Sequence, residues 1–272
     1  MDNKATMVRP PLRWAGSKFG LLPKIVSLFP KTVNRYFEPM LGGGSVFFAL
    51  KPKNALLADE NEELINFYKV LRNYNNEFID HVLKLRPSKD EYYKLREQNP
   101  IGSFERAVRF IYLNRLSWNG LYRVNQTGRY NVPFGGRLPK TLWSKEHLLH
   151  CSSILKNADL QVQDYTDTLS MCGPLDFVFV DPPYPKGITE GLGFNRYNAV
   201  PFRADHHKNL SEILNGLAAK KVQIMLTLGN DGSLLKLYSK PFQIIKIASK
   251  SLISCNGDTR GTTVEYILRN YN

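Results

Sequence analysis

Residues 175–185 read Leu-Asp-Phe-Val-Phe-Val-Asp-Pro-Pro-Tyr-Pro. Phe177 to Val180 form an unbroken apolar run, too short for an ordinary helix and suited to a strand buried on both faces. Pro182 and Pro183 cannot donate to a ladder, so the strand stops at Asp181. A carboxylate, a stiff turn and the ring of Tyr184 therefore stand at the carboxyl end of a central strand, the rim where open α/β sheets bind ligands. An exocyclic amine on a flat base needs acceptors for two N–H groups and a ring to stack on. Asp181 and the Pro182 carbonyl supply the acceptors and Tyr184 the ring, while the prolines add no competing donors. An Asp-Pro pair alone more often marks a plain turn. The complete motif after a buried strand favours the chemical reading, because each residue then has a separate job.

Working outward, Tyr36 to Phe48 reads as a short strand, a glycine turn (Gly42, Gly43, Gly44) and an apolar helix start. Glycines let backbone curl beneath a ligand where a Cβ would collide. The turn is neither a complete dinucleotide fingerprint nor a phosphate loop. Asn54 to Asn61 adds a short apolar strand ending in Asp59, where doubly wound folds place an acid on ribose hydroxyls. Glycine turn, strand and terminal acid together describe a nucleoside pocket. Asp164, near the end of a strand predicted from Leu160, suits either an adenine amino group or a helix cap. Upstream, Arg13-Trp14-Ala15-Gly16-Ser17-Lys18 precedes a helix predicted over Leu21 to Phe29, with Pro23 in its first turn.

The chain has 272 residues and a formal net charge of +13. Such a one-sided balance points to a polyanionic partner. No apolar run approaches the roughly 20 residues of a membrane span, and the N-terminus lacks the apolar core of a secretory signal. Cys151, Cys172 and Cys255 form neither a disulfide framework nor a metal knuckle, so a cytoplasmic, metal-free protein, monomeric in solution, is expected. From Glu62 to about Leu116 the pattern is helical, with stripes at Leu64, Ile65, Tyr68 and Leu71, and at Val108, Ile111, Tyr112 and Arg115. Asn114 to Arg137 is crowded with Asn, Arg, Tyr and Gly, and Gln126-Thr127-Gly128-Arg129 reads as a hairpin tip. Arginines among aromatics on an exposed hairpin suit guanine edges, phosphates and bases; a ligand-free surface hairpin is the plainer alternative. Gly187 to Ala199 reads as a loop able to close over a base. A helix is expected over Asp205 to Leu217, with His206 and His207 on its surface. Strands are expected at Val222–Leu228, Phe242–Ala248 and Thr263–Leu268, with a polar loop from Ser254 to Gly261.

From about Leu12 to Tyr266 the chain resembles the DNA adenine methyltransferase (Dam) family, α group, in which Asp-Pro-Pro-Tyr is the catalytic motif of S-adenosylmethionine-dependent amino-methyltransferases. The resemblance implies a doubly wound, Rossmann-like α/β methyltransferase sheet carrying an inserted helical and β-hairpin DNA-recognition subdomain. The expected catalytic domain is 1–61 with 138–272, and the insertion is 62–137. Asp181, Pro182 and Tyr184 would be catalytic. S-adenosyl-L-methionine would be held by Trp14, Ala15, Lys18, Glu38, Pro39, Leu41, Gly42, Gly44, Ser45, Asp59, Asp164, Tyr165 and Asp181. Ser17 replaces the glycine commoner in the family's Trp-Ala-Gly-Gly-Lys segment. Double-stranded DNA would meet Arg13, Arg115, Trp118, Asn119, Leu121, Arg123, Asn125, Arg129, Pro133 and Arg137. Relatives with Asn-Gly-Leu-x-Arg here, matched by Asn119 to Arg123, typically methylate the adenine of GATC, and Trp118 stands where they carry a wedging aromatic. A bacterial or phage origin follows. Cytosine N4, RNA adenine, a protein glutamine, or DNA binding without catalysis remain the alternatives.

Overall fold

A computed structural model of the chain describes residues 7–183, 202–250 and 262–272. Its elements in order are α1 (Leu22–Leu28), β1 (Tyr36–Glu38), α2 (Ser45–Leu50), β2 (Ala55–Asp59), α3 (Glu62–Asn73), α4 (Asn75–Leu83), α5 (Lys89–Glu97), α6 (Ser103–Leu116), α7 (Lys145–Leu155), β3 (Ala158–Val162), α8 (Tyr165–Ser170), β4 (Phe177–Val180), α9 (Ala204–Ala219), β5 (Gln223–Gly229), α10 (Gly232–Leu237), β6 (Gln243–Lys250) and β7 (Thr262–Arg269). The strands form one seven-stranded sheet in the order β3-β2-β1-β4-β5-β7-β6. Strands β3 to β5 in that order are parallel, and β7 runs antiparallel to both β5 and β6. This is the doubly wound α/β sheet read from the sequence.

The run Phe177 to Val180 explains why the sheet is covered on both faces. All four residues are buried. Phe177 and Phe179 join one apolar cluster, with α1, α2, α3, α4, α6 and α7. Val178 and Val180 join the other, with residues of α8, α9 and α10. Successive side chains of a strand point to opposite faces, so a strand apolar at every position must be covered twice. Because β1 pairs with β2 on one side and β4 on the other, the direction of winding reverses between β1 and β4. That crevice, outside the carboxyl ends of the strands, is the usual ligand position in such sheets.

The helical stretch from Glu62 is four helices. Asn61 caps α3 by accepting from Leu64 N at 3.2 Å, and Glu62 and Glu63 occupy its first turn, where acids complement the helix dipole. Leu64, Ile65, Tyr68 and Leu71 are fully buried. Arg106 of α6 reaches Glu62 and Glu63 at 2.7 and 2.6 Å. A third, smaller cluster of Tyr92, Tyr112, Leu113, Leu116, Tyr130, Val132 and Leu142 joins α5 and α6 to the segment after them.

Asp164 takes the cap position open to it in the sequence: it lies beyond the end of β3 and caps α8, its side chain accepting from Thr166 N at 2.7 Å. One expectation changes. His207 is fully buried rather than on the surface, because α9 turns that ring inward against Phe202 and Tyr238. His206, one residue before it, is half-exposed.

Candidate active site

Four chain segments converge on the rim of the sheet. β4 ends at Val180 and delivers Asp181, which is half-buried, and Pro182, which is buried. The Asp181 carboxylate is held from two directions. Thr227 Oγ1 of β5 donates to Oδ1 at 2.7 Å, and Lys18 Nζ lies 2.7 Å from Oδ2. Lys18 also donates to the Gly16 carbonyl at 2.7 Å. Its side chain is only 4% exposed against 21% for Asp181, so the pair opens to solvent on the carboxylate side. A buried ion pair contributes little net stability, because desolvation offsets the attraction. Its consequence here is chemical: Oδ2 already takes an N–H donor, as Oδ1 takes a hydroxyl.

The next segment is the glycine turn after β1. Gly42 and Gly44 sit at φ of +50 and +66, conformations that favour glycine. A Cβ on Gly42 would meet the Trp14 indole at 2.9 Å, and one on Gly44 would crowd Leu41 and Phe48 at 3.3 Å. Trp14 lies directly against the turn and stacks on Tyr122 at 6.2 Å. Tyr68 anchors the turn from α3, its hydroxyl donating to the Gly43 carbonyl at 3.0 Å. Trp14 to Ser17 itself turns back, Ser17 N donating to the Trp14 carbonyl at 3.3 Å with Gly16 at φ +80, the positive φ of a type II turn. Ala15 is half-buried within it, while Pro39, Leu41 and Ser45 are buried along the glycine turn.

Asp59 ends β2 and ties the turn to α3, Oδ2 accepting from Gly42 N and Oδ1 from Asn61 N, each at 2.9 Å. Burial raises the Asp59 pKa, and these two hydrogen bonds oppose the rise. Glu38, at the end of β1, is 3% exposed and accepts from the Tyr36 hydroxyl at 2.7 Å. Burial, with the nearby Asp181 and Asp59 charges, pushes its pKa to about 8 against the Tyr36 hydrogen bond. Asp164 is held low: burial works the other way and is outweighed by hydrogen bonds from Thr166 and a bond shared with Glu60. Tyr165, buried beside it, accepts from Asn209 at 3.1 Å.

These groups fit S-adenosylmethionine. Each Asp59 oxygen holds one backbone N–H and keeps acceptor capacity for a ribose hydroxyl. The glycine turn packs its Cβ-free faces on Trp14, Leu41 and Phe48 beside that acid, and the acidic rim suits a cationic sulfonium. Nearby, Asn61 Nδ2 is buried with no hydrogen-bond partner among the described residues. No cluster of His, Cys, Asp and Glu among the described residues could hold a metal ion.

The last segment is the Asn/Arg/Tyr-rich stretch. Asn114, buried on α6, clamps it to the N-terminal loop: it accepts from Arg13 N at 2.9 Å and donates to the carbonyls of Arg13 at 2.7 Å and Gly120 at 3.3 Å. Gly120, at φ +66, abuts Arg13 so closely that a Cβ would collide with it. Arg115 is half-buried, and burial and the Arg13 charge lower its pKa. Two guanidinium groups brought together in this way suit a polyanion. Trp118 is 49% exposed, and Asn119 takes a left-handed φ of 53. The expected hairpin is a single antiparallel bridge, Val124 to Tyr130, rather than a ladder. Asn125 closes its tip, Oδ1 accepting from Thr127 N, Thr127 Oγ1 and Arg129 N at 3.0, 2.8 and 2.9 Å. Arg123 is exposed and gives its Nε to Asn131 Oδ1 at 2.8 Å. Tyr130 donates to the Leu121 carbonyl at 2.9 Å, and Trp118 N to the Pro133 carbonyl at 3.0 Å. Arg129 and Arg137 are exposed. Thr227 carries no mark in the sequence, and Asn114, Tyr68 and Tyr122 are legible there only as members of the Asn/Arg/Tyr-rich stretch and of a core stripe. Tyr184, the 187–199 loop and the 254–261 loop with Cys255 lie outside the described residues.

Comparison with known proteins gives the family. A relative from Lactococcus lactis subsp. cremoris, the type II methyltransferase M1.LlaDCHI, is 33% identical over 274 residues, covering 97% of this chain and 96% of its own. The type II methyltransferase M.MjaIII of Methanocaldococcus jannaschii is 31% identical, covering 97% and 99%. The DNA adenine methylase of Escherichia coli (strain K12) is 31% identical, covering 92% and 90%. The model of one family spans residues 14–253, from the Trp14 turn to just beyond β6. The chain belongs to the D12 class N6 adenine-specific DNA methyltransferases, which take their methyl group from S-adenosylmethionine.

Proposed function

We propose that this protein methylates N6 of the adenine in GATC within double-stranded DNA, acting on a base taken out of the stack. The observation that carries the chemical half of this reading is the Asp181 carboxylate, fixed through Oδ1 and already taking an N–H donor on Oδ2 at 2.7 Å. Bound S-adenosylmethionine supplies an electrophilic methyl on a sulfonium. Asp59 would take its ribose. Glu38, Pro39, Leu41, Gly42, Gly44 and Ser45 would line its cleft, Trp14, Ala15 and Lys18 would border it, and Asp164 with Tyr165 would meet its adenine.

Inside a duplex, N6 is out of reach of the crevice, and extrusion costs a few kcal/mol. The lone pair of N6 is delocalised into the ring, so the amine is a poor nucleophile. Asp181 and the Pro182 carbonyl, accepting from its two N–H groups, favour a pyramidal nitrogen whose lone pair points out of the ring. This is alignment and preorganised electrostatics rather than prior deprotonation. Tyr184 is assigned the stacking role. Residues 62–137 are assigned to target recognition, with 1–61 and 138–272 forming the catalytic part.

The sequence preference rests on Arg123. With Nε tied to Asn131, its two terminal nitrogens keep the fork that matches O6 and N7 of guanine. Trp118, half-exposed, is assigned the role of entering the gap left by the base. The test is tritiated S-adenosylmethionine incubated with DNA, RNA and peptide, followed by mapping of methylated adenines in DNA from expressing cells. Label in DNA at GATC adenines supports the reading. Label in RNA or peptide overturns the substrate, and adenines outside GATC overturn the sequence.

A further inference from the structure

Thr227 is a polar side chain in a strand that is otherwise apolar through its buried stretch, Ile224-Met225-Leu226-Thr227-Leu228, and it is fully buried. A valine would fill the same volume without a hydroxyl to satisfy. Burying a hydroxyl is unfavourable unless it is bonded, so its bond partner says what it does there. β5 runs parallel to β4 with Val180 opposite Leu226, which sets Thr227 beside Asp181. Met225 packs in the same cluster as Phe177 and Phe179. Strand alternation then turns Thr227 and Asp181 to that same face, and Oγ1 reaches Oδ1 at 2.7 Å.

An aspartate carboxylate turns about a broad, two-fold torsion, so either oxygen can face the crevice unless something chooses between them. Lys18 holds Oδ2 through a flexible four-carbon stem, whereas Thr227 is mounted on a central strand and its hydroxyl has one strong acceptor within 3 Å. We infer that Thr227 is a positioning residue for methyl transfer: its hydroxyl fixes Oδ1 of Asp181 and thereby presents Oδ2 to the target amine. This rests on the reading that Asp181 receives an exocyclic N–H.

The experiment compares wild type with Thr227→Val, Thr227→Ala and Thr227→Ser. It measures the single-turnover methylation rate at saturating DNA and S-adenosylmethionine, and dissociation constants for each by anisotropy and calorimetry. Val and Ala lower the rate about 100-fold, the scale of a misplaced reacting group, while both dissociation constants stay within about threefold. Ser, which restores only the hydroxyl, returns the rate to within about threefold of wild type. The Ala variant guards against crowding by the valine methyl. A wild-type rate in both Val and Ala, a Ser variant as slow as Val, or a loss confined to binding each overturns the role. A wild type that transfers no methyl to DNA overturns instead the functional reading on which the role rests.

Discussion

Glu38→Gln tests whether the rim of the sheet keeps one of its carboxyls neutral. Glu38 is 3% exposed and accepts from Tyr36 at 2.7 Å. Burial first, then the charges of Asp181 and Asp59, raise its pKa from 4.5 to about 8. The folded value lies above the unfolded one, so the stabilisation is complete below pH 4.5 and disappears as pH rises toward 8. In that window the unfolded chain has released a proton that the folded chain retains, and each pH unit weakens folding by about 1.4 kcal/mol. Between pH 4.5 and 7.5 the loss reaches about 3–4 kcal/mol. Glutamine has the same shape, stays neutral and does not titrate. The difference in stability, variant minus wild type, should therefore grow by that amount across the window, whatever the other groups contribute. Urea unfolding of the unliganded protein at pH 5, 6, 7 and 8 measures it. Parallel pH profiles for the two proteins would refute the reasoning, since Glu38 would then ionise as readily folded as unfolded.

Asp181→Ala should abolish methyl transfer while leaving S-adenosylmethionine affinity within a few-fold. It should also lower stability by about 3 kcal/mol, because Lys18 is left a buried cation without its carboxylate; single-turnover rates, calorimetry and thermal unfolding read the three, and wild-type turnover would sink the catalytic assignment. Asp59→Ala should weaken S-adenosylmethionine binding by about 1–3 kcal/mol, the scale of a lost charge-assisted partner. An unchanged dissociation constant in calorimetry would reduce Asp59 to an anchor for Gly42 and Asn61. Arg123→Ala should cost roughly 1–3 kcal/mol of discrimination at the outer guanine and relax specificity there. Competition binding with single-base variants of GATC checks this, and an equal loss on every sequence would make Arg123 a phosphate contact.

What the sequence made legible is what depends on local pattern. Phe177 to Val180 announces a doubly covered strand because alternation forces both faces inward, and Asp59 and Asp181 are visible as acids that end such strands. Asp164 stays open between two roles in the sequence because a cap and a strand terminus present the same residue types. His207 was misjudged for a related reason: a histidine between polar neighbours carries no mark of which way its helix face turns. Thr227 stays hidden because it is a lone polar residue in an apolar strand, and Asn114 because nothing sets it apart from the other polar residues of its stretch. Their partners, Asp181 and Arg13, are 46 and 101 residues distant, so no spacing rule reaches them.

The same distinction explains why residues 13–18 look so mixed in the sequence. Arg13 is clamped by Asn114 to the recognition segment. Trp14 packs on the Gly42–Gly43 turn. Lys18 ends on the Asp181 carboxylate. One short loop thus touches α6, the glycine turn after β1 and the Asp181 carboxylate, through the main chain of Arg13, the flat ring of Trp14 and the reaching ammonium of Lys18. A periodic pattern arises when one environment repeats along an element. Here three environments follow one another within a single turn, so the loop has no period to read. Its composition becomes intelligible only when the fold brings Asn114 of α6, the glycine turn after β1 and Asp181 after β4 around that loop.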